Sequence, residues 1–101
     1  MKLTELWKSR TRPTVSFELF PARTPKAAAS LEKTIDELAA AAPDFVSVTF
    51  GAGGSTREGS RQLIEKLGKE KGLPVVAYFA GYGLGPNDIV GVLDTYRDLG
   101  V

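Results

Sequence analysis

The chain has 101 residues, 43% hydrophobic and 25% charged, an ordinary globular composition sufficient for one small domain. Thirteen Lys and Arg against 12 Asp and Glu leave a formal net charge of +1, so the balance gives no reason to expect nucleic acid or an anionic membrane. Neither Cys nor His occurs, which excludes disulfides, thiol nucleophiles, the Ser-His-Asp triad and most transition-metal sites within this chain, and fits a reducing cytoplasm. Acid–base chemistry is left to Glu, Asp, Lys or Tyr.

The opening MKLTELWKSR predicts a short helix at about residues 3–9, without the apolar core or small-residue cleavage site of a signal peptide. No apolar run approaches the roughly 18 residues of a membrane span. Lys8, Arg10 and Arg12 read as a solvated basic segment ahead of the first strand. In VSFELFP, residues 15–21, Val15, Phe17 and Leu19 alternate with Ser16, Glu18 and Phe20, the period of a strand. PKAAASLEKTIDELAAAA then spaces Ala28, Leu31, Ile35, Leu38 and Ala42 as one buried helix face. The second strand, PDFVSVTF, leads to a narrower helical stripe of Leu63, Ile64 and Leu67, with Gly72 as its C-cap. The third, PVVAYFAG, leads to a helix carrying Ile89, Val92, Leu93, Tyr96 and Leu99, with Pro86 in its first turn and Gly100 at its cap.

The strands begin near Val15, Phe45 and Val75, thirty residues apart each time. That beat implies parallel strands joined by right-handed crossovers and covered by helices, so the strands should be buried on both faces and Glu18 sheltered. The chain stops at DLGV, where a fourth strand would begin. Residues 1–101 therefore read as α/β: a short N-terminal helix and the first three βα units of a (β/α)8 TIM barrel, a fold of about 250 residues when complete. They would form the N-terminal portion of a single catalytic domain. A complete small open α/β sheet is the alternative, although three parallel strands make a poor closed core.

Parallel α/β folds bind ligands at the carboxyl ends of their strands. The loops there read FPARTP, FGAGGSTRE and GYGLGPND. Alternation places Ser16, Glu18, Ser47, Thr49 and Tyr78 as a polar patch near one end of otherwise apolar strands; the same residues also read as satisfied hydroxyls beside a surface carboxylate. GAGGST makes a poor dinucleotide fingerprint, because Thr56 occupies the third glycine position and the downstream acid, Glu70, falls late in a helix. A tight turn accounts for Gly51, Gly53 and Gly54 without any ligand.

VSFELFPART and PDFVSVTFGAGGSTRE together resemble the opening of the methylenetetrahydrofolate reductases, whose patterns are close to F-E-F-F-P-P and P-x-F-V-S-V-T-Y-G-A-x-G. The likeness runs from about Val15 to Val101. It implies a (β/α)8 barrel that binds FAD, uses NADH or NADPH, and reduces methylenetetrahydrofolate to methyltetrahydrofolate in one-carbon and methionine metabolism. The implied partners are the folate and the nicotinamide nucleotide, with no metal, nucleic acid or membrane, in a cytoplasmic protein that is a homo-oligomer at full length.

Residue by residue, the resemblance places Glu18 on the family's general acid. That acid protonates the folate so that its bridging carbon opens to an iminium, which accepts hydride from reduced flavin. A sheltered position suits such a donor, since desolvation raises a carboxyl pKa. Thr49, Phe50 and Ala52 match cofactor-binding positions of V-T-Y-G-A, Phe50 standing where Tyr is usual. Tyr78, in YFAG where the family commonly has H-L-T-C, takes the place of a histidine near the flavin. The family's fourth-strand L-R-G-D motif would follow Val101, so the 101 residues alone should be inactive. Two other readings compete: a reductase-like barrel whose Tyr78 marks altered or lost flavin chemistry, and a non-catalytic half-barrel that assembles with another chain. Glu18 speaks against the second, since a scaffold has no reason to place an acid among apolar strand residues.

Overall fold

A computed structural model describes residues 2–50 and 57–101. Its elements keep the thirty-residue beat: α1 (Leu3–Ser9), β1 (Ser16–Leu19), α2 (Pro25–Ala40), β2 (Phe45–Val48), α3 (Arg57–Glu65), β3 (Val75–Ala77) and α4 (Pro86–Asp98). α3 runs on into a wider, π-helical stretch, Lys66–Glu70. The boundaries have local causes. Thr24 caps α2 by accepting from the Ala27 N–H at 3.1 Å, and Pro25 follows at the first helical position, where its missing N–H costs nothing. Pro86 opens α4 in the same way. Gly72 takes a left-handed φ of 65° just past the π-helical stretch, as its place in the sequence suggests. After α2 the same left-handed role falls to Ala42, with φ 51°.

The strands are parallel, in the order β1–β2–β3. Phe17 pairs with Val46 and Leu19 with Val48, and the rows continue to Val75 and Ala77. This face meets the helices. Leu19, Val46 and Val48 join Ile35 of α2, Leu63 and Ile64 of α3 and Leu67 of the π-helical stretch in one buried cluster. Leu31, Leu38, Tyr96 and Leu99 pack around it. The α4 stripe is narrower than its sequence suggests: Tyr96 and Leu99 reach the core, but Leu93 lies at the edge of the stripe and is 50% exposed.

The other face carries Glu18, Ser47 and Val76 side by side in register. Here the expectation of strands buried on both faces fails. Among the described residues, the core that α2, α3 and α4 build lies entirely on the opposite side of the sheet. Glu18 is therefore exposed and not sheltered, and Phe20 beyond it is 66% exposed. Among the described residues, a helix approaches this face at its amino-terminal end, where Leu3 and Leu6 of α1 line a small cleft with Phe45, Pro74 and Val76.

The basic segment also departs from expectation. Arg10 and Arg12 each reach Asp44, just before β2, at 2.9 Å. The Val15 N–H donates to the same carboxylate at 2.8 Å, and the Asp44 N–H returns a bond to the Val15 carbonyl at 2.8 Å. Asp44 is buried, and its carboxyl is held below the usual aspartate range, first by the Arg12 hydrogen bond and then by the Val15 N–H. The sequence signal for this cluster is one acid at the head of the second strand, 29 residues after Val15.

Candidate active site

The carboxyl ends of the strands bring together three of the residues singled out in the sequence. Glu18 sits on β1, one residue before its end, opposite Ser47 of β2. Ser47 in turn lies opposite Val76 of β3, and Tyr78 is two residues further along that face. Neighbouring strands are about 4.8 Å apart and each residue advances about 3.3 Å, so Glu18 and Tyr78, two strands across and two residues along, are roughly 12 Å apart between backbones. Their side chains close the gap: the Tyr78 hydroxyl donates to Oε2 of Glu18 at 2.9 Å. A serine between them is small enough to let the phenol reach across β2.

The electrostatics follow from that contact. The hydrogen bond to the Glu18 carboxylate, then the carboxylate charge and desolvation, push the Tyr78 phenol above its ordinary pKa. A hydrogen bond from the Ser47 side chain acts in the opposite direction. Ser47, Tyr78 and Glu18 thus form a short run of polar groups at the carboxyl end of this sheet face. Tyr78 is 49% exposed, so the site is reachable from solvent.

Thr49 continues β2 beyond its last paired residue, its N–H donating to the Leu19 carbonyl at 3.2 Å. It therefore follows Ser47 on the Glu18 side of the sheet. Phe50 does not join them. Its ring is buried on the helix side, 5.5 Å from the Phe79 ring, where it lines a cavity of about 140 Å³ with Glu58, Arg61, Val92, Thr95 and Tyr96. Ala52, with the rest of the glycine loop 51–56, lies outside the described residues.

Two residues that sequence reasoning passed over hold this end of the sheet. Ser60, fully buried in the first turns of α3, donates from Oγ to the Thr49 carbonyl at 2.7 Å. The Tyr96 hydroxyl of α4 donates to the Tyr78 carbonyl at 3.3 Å, and burial raises that phenol's pKa. Each ties a strand's exit to the helix that follows it. Beside Ser60, a Cβ on Gly59 would stand 3.1 Å from the Pro21 ring, so the glycine lets α3 close against the loop after β1. In sequence Tyr96 read as one more apolar stripe residue and nothing singled out Ser60; only the three-dimensional path of the strands gives them partners.

The methylenetetrahydrofolate reductase family profile matches residues 2–101, essentially the whole chain. The chain belongs to the methylenetetrahydrofolate reductase family. It is 31% identical to the 5,10-methylenetetrahydrofolate reductase of Escherichia coli over 87 residues, which is 86% of this chain and 29% of that protein. The enzyme of the same name from Pectobacterium carotovorum is 30% identical over 90 residues, 89% of this chain and 30% of the other. Methylenetetrahydrofolate reductase (NADH) 1 of Zea mays is 34% identical over 56 residues, 55% of this chain and 9% of the plant protein. The chain thus spans less than a third of the length of these methylenetetrahydrofolate reductases.

Proposed function

We propose that this chain is the N-terminal portion of a (β/α)8-barrel methylenetetrahydrofolate reductase, a cytoplasmic oxidoreductase that converts methylenetetrahydrofolate to methyltetrahydrofolate with FAD and NADH or NADPH. Family membership supports the reaction class, and the observation that carries the assignment to this site is Glu18 at the carboxyl end of β1, open to solvent and bonded to Tyr78. The donor set suits a flat ring system with polar edges. Phe20 and Tyr78 present exposed aromatic rings, and Ser47 and Thr49 bring hydroxyls to the same sheet face. Thr49 and Tyr78 would hold the flavin beside Glu18. Phe50, buried against Phe79, would serve by anchoring the loop that contains Ala52.

When bound, FAD supplies hydride transfer from the nicotinamide to the folate. The chain's own residues do the rest. Glu18 gives the proton that opens the bridging carbon of the substrate, a task for a group that is close and correctly aimed. Ser60 and Tyr96 fix the main chain at Thr49 and Tyr78, so those side chains start from a rigid base. The test is the full-length protein under anaerobic conditions. A flavin spectrum bleached by NADH or NADPH, restored by methylenetetrahydrofolate with formation of methyltetrahydrofolate, is the expected result. Bleached flavin that the folate leaves unchanged contradicts the proposal. A colourless protein that still forms methyltetrahydrofolate would keep the folate and remove the flavin.

A further inference from the structure

Glu18 has two carboxyl oxygens, and only one of them is engaged by Tyr78. We propose that Tyr78 is a positioning residue for Glu18: its phenol holds Oε2, fixes the plane of the carboxyl group, and leaves Oε1 as the oxygen that carries the acidic proton to the substrate. The inference rests on the general-acid reading of Glu18 given above. The bond at 2.9 Å runs from β3 to β1 across the intervening strand, so it couples the two outer strands of the sheet through side chains alone. Oε2, accepting from the phenol, is the less favourable place for the proton, because a protonated oxygen is a poorer acceptor than the bare one. An exposed glutamate would otherwise sample several rotamers, and a proton donor misplaced by about 1 Å loses much of its effect. Ser47 lies between them on β2, opposite Glu18, and is 8% exposed. The Tyr78 main chain is separately pinned by Tyr96, so the phenol starts from a fixed point.

The experiment is a double-mutant cycle in the full-length protein with Tyr78→Phe, Glu18→Gln and both together, read on reoxidation of pre-reduced enzyme by methylenetetrahydrofolate. Phe keeps the ring and removes only the hydroxyl. Tyr78→Phe should slow this step about tenfold or more, as expected when a proton donor loses the contact that aims it, and should add less than about twofold once Glu18 is already Gln. Effects that simply multiply would overturn the proposal. A second readout needs no turnover: the ultraviolet titration of the Tyr78 phenol, identified as the signal missing from Tyr78→Phe. Glu18→Gln should bring that titration down toward the ordinary tyrosine range, because the acceptor's charge is gone. An unchanged titration removes the Tyr78–Glu18 bond even if the protein reduces folate. A shifted titration in a protein that does not reduce folate keeps the bond and removes the reaction, and the positioning role falls with it.

Discussion

Asp44 accepts from Arg10, Arg12 and the Val15 N–H at the point where β1 and β2 begin. Its folded pKa is lowered, chiefly by Arg12, while in the unfolded chain it returns to about 3.9. The unfolded state therefore binds the proton more readily, and the contribution to stability is complete above the unfolded value and lost as pH falls through the folded one. Asp44→Asn in the full-length protein should lower the urea midpoint clearly at about pH 7, and the gap to wild type should shrink at about pH 3. A gap that stays constant would detach the carboxylate's charge from the fold. Ala42 gives a prediction of opposite sign. It holds a left-handed φ of 51°, which costs a side-chain-bearing residue about 1–2 kcal/mol, partly offset in glycine by chain entropy. Ala42→Gly should stabilise by about 0.5–1 kcal/mol in denaturant unfolding. Destabilisation would mean the Ala42 methyl contributes packing that outweighs its strain.

The helices differ in how firmly they hold the sheet. Leu67, in the π-helical stretch, is 0% exposed within the central cluster, whereas Leu93 of α4 is 50% exposed. Leu67→Ala should cost about 2–5 kcal/mol and Leu93→Ala about 0.5 kcal/mol or less, both read as shifts in the denaturation midpoint. Equal costs would contradict this ranking. The stripe of Leu63, Ile64 and Leu67 was legible from spacing, as were Pro86 at the start of α4 and Gly72 after the π-helical stretch, because these depend on neighbours within a few residues. The Arg10–Asp44 and Arg12–Asp44 pairs were not, since partners more than thirty residues apart leave no local pattern. The widening of α3 into a π-helical stretch was also silent in the apolar spacing.

Across the whole molecule, one sheet face is packed and the other presents Glu18, Phe20 and Tyr78. The alternation in VSFELFP distinguished these faces correctly, but the number of strands and helices did not reveal which of them would be covered. That Glu18 shares a sheet face with Ser47 and Tyr78 was legible from alternation; its hydrogen bond to Tyr78 emerged only when register placed β1, β2 and β3 side by side. Expressed alone, residues 1–101 expose aromatic side chains and unpaired edges of β1 and β3, so sedimentation should show self-association and added FAD should not bind. A monomer that binds FAD stoichiometrically would contradict this. The most direct test of the central claim is Glu18→Gln in the full-length protein, with its two half-reactions followed separately by anaerobic stopped flow. Flavin reduction by the nicotinamide nucleotide should persist, while reoxidation by methylenetetrahydrofolate slows by about two orders of magnitude or more, the scale of a lost general acid. Equal slowing of both half-reactions, or of neither, would contradict the role assigned to Glu18.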